Sequence, residues 1–273
     1  MKKKKRYVNL IIGVVLISIL AVIAIFAPLI APFSYDEADL GNTLAKPDDV
    51  HWFGTDGFGR DVFSRVVYGS RIAFKIAGLS LAITLGIGVV VGLIAGYFGG
   101  WVDRILCFVM DVTWAVPSIV AAFAIIAVLG KSLNNSIIAL ALVGWPQLAR
   151  IVRTKTMSIK NMAFIETGVA FGESVPALLF RYIFPNIVPS VVVIMSRNLP
   201  NAIMSTTALS ILGLGASSPS PDWGLAISDG MSFFVSNPLP SLFPGLALMF
   251  TTFAFTMLGE GLRDYIDPRM KDN

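Results

Sequence analysis

Residues 161–186 read NMAFIETGVAFGESVPALLFRYIFPN. The stretch holds Glu166, Glu173 and Arg181, charges that keep it from crossing a bilayer. It also holds Met162, Phe164, Ile165, Phe171, Leu178, Leu179, Phe180, Ile183 and Phe184, too many large apolar side chains for a solvated loop. An apolar face of this size must be buried against something other than lipid chains. Locally, 161–172 reads as a short helix ended by Gly172. Ser174 is a good N-cap for a second helix, and Pro176 falls in its first turn, where proline is tolerated. Pro185 and Pro189 then close that second helix before the next apolar run. The expected unit is a helix–turn–helix at a membrane surface, built either to dock into a groove on another protein or to rest on lipid headgroups.

Around this unit the chain alternates long apolar runs with short breaks. Of its 273 residues 55% are hydrophobic and 14% charged, against about 25% charged in a soluble domain. Mean hydropathy is +0.76, which places the chain in the membrane class. Cys107 is the lone cysteine, which excludes an internal disulfide and a multi-cysteine metal site. His51 is the lone histidine, which argues against a His-pair zinc site or a Ser–His relay. No GxSxG, HExxH or aspartyl pair sits in a helical context that supports hydrolysis. Gly130-Lys131-Ser132 resembles the tail of a phosphate-binding loop, but Ile125 stands where that loop needs glycine and no strand precedes it. Nucleotide chemistry, if any, belongs to a partner.

A hydrocarbon core about 30 Å thick is crossed by roughly 20 apolar residues in a helix. Six stretches qualify, at 8–30, 72–98, 105–129, 136–152, 187–212 and 239–262. The first follows a basic tail at residues 1–7, yet its apolar run exceeds the roughly 7–15 residues of a signal peptide, so it is read as an anchor. The expectation is an all-α, polytopic membrane protein in which residues 8–273 form a single domain. Lys and Arg set the orientation. With the N-terminus cytoplasmic, the inner segments hold Lys2–Arg6, Arg104, Arg150, Arg153, Lys155, Lys160, Arg181, Arg263, Arg269 and Lys271. The outer loop 31–71 instead carries Asp36, Glu37, Asp39, Asp48, Asp49, Asp56 and Asp61. Both termini are therefore expected inside, the loop 153–186 cytoplasmic, and the loops 31–71 and 213–238 outside.

Within the spans, Gly88, Gly92, Gly96 and Gly100 recur every four residues and share one helical face, the pattern that lets helices approach closely in lipid. Asp111 and Arg197 are charges at membrane depth, so each should face protein or a watery path. Asp111 suits either a structural bond to a neighbouring helix or a transport role. Arg197 lies in MSRNLPNAIMS beside Asn198, Pro200 and Asn201, a polar stretch suited to facing a substrate, pairing with a partner or holding structure. Arg197, Asn201 and Asp111 are the candidate path residues.

Glu166 and Gly172 at their spacing, followed by RYIFPN at 181–186, resemble the cytoplasmic EAA loop of ABC importer permeases. HWFGTDGFGRDVFSRVVYGSR (51–71), GLIAGYFGGWVDR (92–104), ALALVGWPQLARIVR (139–153), LSILGLGASSPSPDWG (209–224) and FPGLALMFTTFAFTMLGEGLRDYIDPR (243–269) resemble one branch of that family. That branch is the second permease subunit of dipeptide, oligopeptide and nickel importers, and the resemblance runs from about residue 5 to 271. It implies the ABC importer (MetI-like) permease fold and a coupling helix at Glu166, Thr167, Gly168, Ala170, Phe171 and Gly172. It also implies a heterodimer with a sister permease, two ATP-binding subunits that use ATP and magnesium, and a solute-binding protein outside. No cofactor in this chain, no catalysis by it and no nucleic-acid partner are expected. The chain departs from the pattern at Glu166-Thr167-Gly168, which lacks the alanines, and at Thr206, where the family often has an acid. A nickel or metal-chelate importer is the alternative within the family, although His51 is the only histidine on offer. A secondary transporter would need internal repeats and ion-coupling carboxylates, of which the spans offer only Asp111.

Overall fold

The structure, a computed structural model, describes residues 8–266. The expected tail 1–7, and Arg269 and Lys271 at the other end, lie outside the described residues. In chain order the helices are α1 (Val8–Ile25), α2 (Ala27–Ile30), α3 (Val62–Phe98), α4 (Gly100–Ala115) and α5 (Ser118–Leu129). There follow α6 (Leu133–Ile159), α7 (Ala163–Ala170), α8 (Val175–Ala177), a π-helical turn at Leu178–Ile183, α9 (Phe184–Ile211), α10 (Trp223–Met231) and α11 (Leu239–Ile266). Five helical runs among the described residues are long and apolar enough to cross a membrane: α1, α3, α6, the run Val175–Ile211 and α11. The chain is a multi-pass membrane protein.

Three expectations need correction. The third span is not one straight helix over 105–129: α4 and α5 meet at a 92° bend. Pro117 causes it, because a proline disfavours helical backbone in the residue before it, and Val116 is extended at φ −90°, ψ 131°. Second, Pro185 and Pro189 do not close a helix. The chain runs through them, because Pro185 sits in the first turn of α9, where no N–H is missed. The π turn before it widens the spiral so that the Phe184 N–H donates to the Leu179 carbonyl. The unit 161–186 is thus one free helix, α7, followed by a segment fused to the fifth span. Third, residues 62–71 are not loop but the first turns of α3, a 37-residue helix about 55 Å long that overshoots a hydrocarbon core of about 30 Å.

Glycine decides how α3 meets α6. A Cβ on Gly88 would lie 3.0 Å from Leu148, on Gly92 2.6 Å from Val152, and on Gly96 2.6 Å from Thr156. The constant offset means the two helices run parallel with their backbones in close contact, as small-residue faces permit. Gly100 is not part of this face: it opens α4 at φ +53° with nothing nearby. Gly13 and Gly261 play the equivalent role where α1 crosses α11, against the backbones of Leu258 and Leu10.

At the end of the bundle opposite α7, residues 31–61 and the segment around α10 form a cap. Asp61 N-caps α3, accepting from the Ser64 N–H at 2.7 Å, and its other oxygen meets His51 Nδ1 at 3.0 Å. Arg60, 2% exposed, donates to Asp56 (2.7 Å), Ser218 (3.0 Å) and Asp229 (3.4 Å). Arg65 donates to the carbonyls of Tyr35, Pro219 and Ser220. These two guanidiniums therefore tie two loops, far apart in sequence, to the start of α3. Gly59 permits the turn before them: its φ is +73°, and a Cβ there would meet the Asp39 carbonyl oxygen at 1.8 Å.

Candidate functional site

Two regions carry the chemistry, and one apolar core joins them. The first is a cavity of about 230 Å³ bounded by α3, α6, α9 and the α4–α5 bend. Its polar wall includes Ser80, Thr84, Ser118, Gln147, Asn198 and Asn201, and no lining residue is charged. Trp114 closes the side next to the bend, with the Arg150 guanidinium 4.7 Å from its ring. Such a wall offers amide and hydroxyl groups that both donate and accept, suited to solutes rich in peptide groups.

Of the three residues expected on a path, only Asn201 lines the cavity. Arg197 stands on the exposed side of α9. Asp111 is ion-paired with Arg150 across α4 and α6, and the Asp103–Arg153 pair joins the same helices nearer the start of α4. Gln147, Asn198 and Thr84 were not singled out from sequence, although Asn198 lies in the polar stretch that was. Thr206, at the site where the family often has an acid, is fully buried with an unpartnered hydroxyl and does not line the cavity.

The second region is α7. Only residues 160–162 separate it from α6. It ends as the sequence suggests, with Gly172 at φ +77° and the Glu173 N–H donating to the Gly168 carbonyl at 3.0 Å. Glu166, Thr167, Ala170, Phe171 and Gly172 are exposed, Phe171 at 84%. Gly168 is not among them. It is buried, and a Cβ on it would lie 2.9 Å from the Leu178 Cδ2 methyl, the end of a flexible side chain. Ile165 turns inward, and the Tyr182 hydroxyl donates to Glu173 at 3.0 Å, tying the α7–α8 turn to the π turn.

The joining core contains Ile165 from α7, Leu179 and Ile183 from the π turn, Leu148 and Val152 from α6, and Ile187, Val191 and Met195 from α9. Met195 also lines the cavity. Side chains in such a core are close-packed, so a displacement of α7 is passed on rather than absorbed.

At the cap, burial pushes the Asp222 and Asp229 carboxyls up from their ordinary values. Asp222 nevertheless N-caps α10, accepting from the Leu225 N–H at 2.8 Å.

A multi-pass helical bundle with an uncharged cavity between its helices and an exposed apolar helix at one end is the architecture of a transport permease. Residues 88–272 match the binding-protein-dependent transport system inner membrane component family, and residues 10–47 match the N-terminal transmembrane domain of oligopeptide transport permease C. The chain belongs to the family of binding-protein-dependent transport system inner membrane components. It is 42% identical over 270 residues to the dipeptide transport system permease protein DppC of Alkalihalophilus pseudofirmus, covering 99% of this chain and 89% of the relative. It is 42% identical over 254 residues to the glutathione transport system permease protein GsiD of Escherichia coli, covering 93% and 84%. Among solved structures, the MetNI methionine ABC transporter in inward-facing conformation has the same fold, with a TM-score of 0.59 and 16% identity over 74% of this chain and 96% of the other.

Proposed function

We propose that this chain is the membrane subunit of an ATP-driven peptide importer, forming half of the path for di- or oligopeptides delivered by an extracytoplasmic binding protein. The chain itself is not catalytic. A sister permease supplies the other half of the path, and two ATP-binding subunits hydrolyse ATP with magnesium. Both termini and α7 face the cytoplasm, and Glu166, Thr167, Ala170 and Phe171 form the contact with one ATPase, with Gly168 and Gly172 shaping the helix. The observation that carries this reading is the continuous core from Ile165 on α7 to Met195 on the cavity wall. Through it, closure of the ATPases moves the wall and switches the path between inward and outward access. The uncharged lining, which mixes amide and hydroxyl groups with apolar side chains, and the dipeptide and glutathione permeases among the relatives favour peptides over metal ions.

The test is the reconstituted complex with its binding protein, wild type against Glu166→Lys. The expected result is loss of peptide-stimulated ATP hydrolysis and release of the ATPase on purification. Unchanged hydrolysis and assembly would mean that α7 merely rests at the membrane surface, and the coupling reading would fall.

A further inference from the structure

The exposed residues of α9 between Met195 and Ser210 are Arg197, Asn201 and Met204. Spaced four and three apart, they form a single line along the helix. Asn201 lines the cavity, and Arg197 stands one turn before it, outside the lining. On α6 the exposed Gly144 and Gln147 line the same cavity. The open side of the cavity is thus edged by a guanidinium and by the amides of Gln147 and Asn201. A face turned to lipid looks different: the exposed large side chains of α1 are apolar, Ile11, Val15, Ile19, Val22 and Ile25 among them.

Arg197 belongs to the run Val175–Ile211, which is long and apolar enough to cross a membrane. A charge in such a run is costly unless it is paired. Among the described residues Arg197 has no hydrogen bond and no ion pair. Its backbone is held in place, since a Cβ on Gly259 of α11 would lie 3.0 Å from the Ser196 carbonyl oxygen and 3.4 Å from the Arg197 nitrogen. Glu260, the next residue of α11, is exposed and makes no ion pair with Arg197. Asp111 and Arg150, the charges beside the α4–α5 bend, satisfy each other. Nothing described in this chain answers the Arg197 guanidinium.

We propose that Arg197 anchors the sister permease by pairing with an Asp or Glu carboxylate in one of its spans. This rests on the reading of the chain as half of a path and adds where the other half is held. The sister permease has to close the open side of the cavity, and Arg197 stands at that edge, in line with Asn201. A peptide's carboxylate does not meet the need: Arg197 lies outside the lining, and a transported solute leaves the guanidinium bare after every turnover. A resident carboxylate satisfies it throughout the cycle, through paired N–H···O bonds that a lysine does not reproduce.

The test uses the whole importer, purified through a tag on this chain, and measures in detergent how readily the sister permease dissociates. Dissociation is expected to rise about tenfold in Arg197→Gln and further in Arg197→Glu, with Arg197→Lys between wild type and Arg197→Gln. Each Asp and Glu in the sister's spans is then replaced by Arg in the Arg197→Glu background. One such exchange is expected to recover the complex, which a merely structural arginine does not allow. If Arg197→Glu does not fold, the neutral cycle decides: once Arg197 is Gln, converting the partner carboxylate to its amide is expected to cause no further loss. Dissociation of Arg197→Gln within about twofold of wild type overturns the pairing, and if trialanine uptake falls all the same, the residue faces the path instead. Recovery of Arg197→Gln by Glu260→Gln also overturns it, because the pair would then lie inside this chain. So does a sister permease with no carboxylate in its spans. A wild-type chain that holds no sister permease at all overturns the reading of a two-part path, so the two failures are distinct.

Discussion

Gly92→Ala tests the central helix contact most directly. The added Cβ would lie 2.6 Å from the Ala149 carbonyl oxygen and 2.6 Å from Val152 Cβ, nearly 1 Å inside an ordinary contact of 3.4–4 Å. The carbonyl belongs to the α6 ladder and cannot swing aside, so α3 and α6 must separate. Overpacking of this kind costs about 1–3 kcal/mol, a factor of about 5 to 150 in the folded-to-unfolded ratio. The internal control is Gly86→Ala, whose Cβ meets nothing within 4 Å and gains up to about 1 kcal/mol of helix propensity. Reversible unfolding of both variants in detergent, against wild type, reads the difference. Gly92→Ala is expected to be the less stable of the two by at least about 1 kcal/mol. Equal stability would refute the claim that these glycines exist for close approach.

Other outcomes follow from the polar contacts. Arg60→Ala strands the buried Asp56 carboxylate beside Arg65 alone, and a loss of about 3–5 kcal/mol is expected, with earlier proteolysis of residues 31–61 as the readout. Arg60→Lys should not restore it, since one ammonium cannot span the three partners. Double-mutant cycles should give about 0.2–1 kcal/mol for Asp111 and Arg150, which are 65% and 40% exposed, and more for the less exposed, bidentate Asp103–Arg153 pair. Asp222 titrates higher in the folded chain than unfolded, so its contribution is present at acid pH and is lost as pH rises through the raised value. Asp222→Asn keeps an N-cap on α10 and should flatten that part of the stability profile while costing little near neutral pH.

Much of the fold was written in local patterns. The apolar runs located the long helices, because crossing a bilayer demands length and hydrophobicity that few other segments have. The Gly88–Gly92–Gly96 face and the stop at Gly172 were legible because both are rules about backbone approach and left-handed turns. Pro117 carried the bend signal, but length and hydropathy read 105–129 as one apolar run, and nothing local says that a span will fold back by 92°. The continuation through Pro185 was hidden for the opposite reason: a π turn removes the conflict that a proline normally creates. At the cavity, Asn201, which the sequence set in a polar stretch inside a span, is a lining residue. For Asp111 the sequence offered a bond to a neighbouring helix or a transport role; that the bond goes to Arg150, on another helix, is a property of the tertiary structure alone.

The parallel run of α3 against α6 has a mechanical consequence. The cap feeds directly into the start of α3, and α7 hangs from the end of α6 by residues 160–162. Because backbones in glycine-mediated contact leave no soft layer to shear, the pair behaves as a single stiff beam loaded at both ends. A tilt imposed where the loops are pinned by Arg60 and Arg65 would therefore reach the far tip, where Phe171 and Glu166 stand, through this pair rather than through a flexible linker.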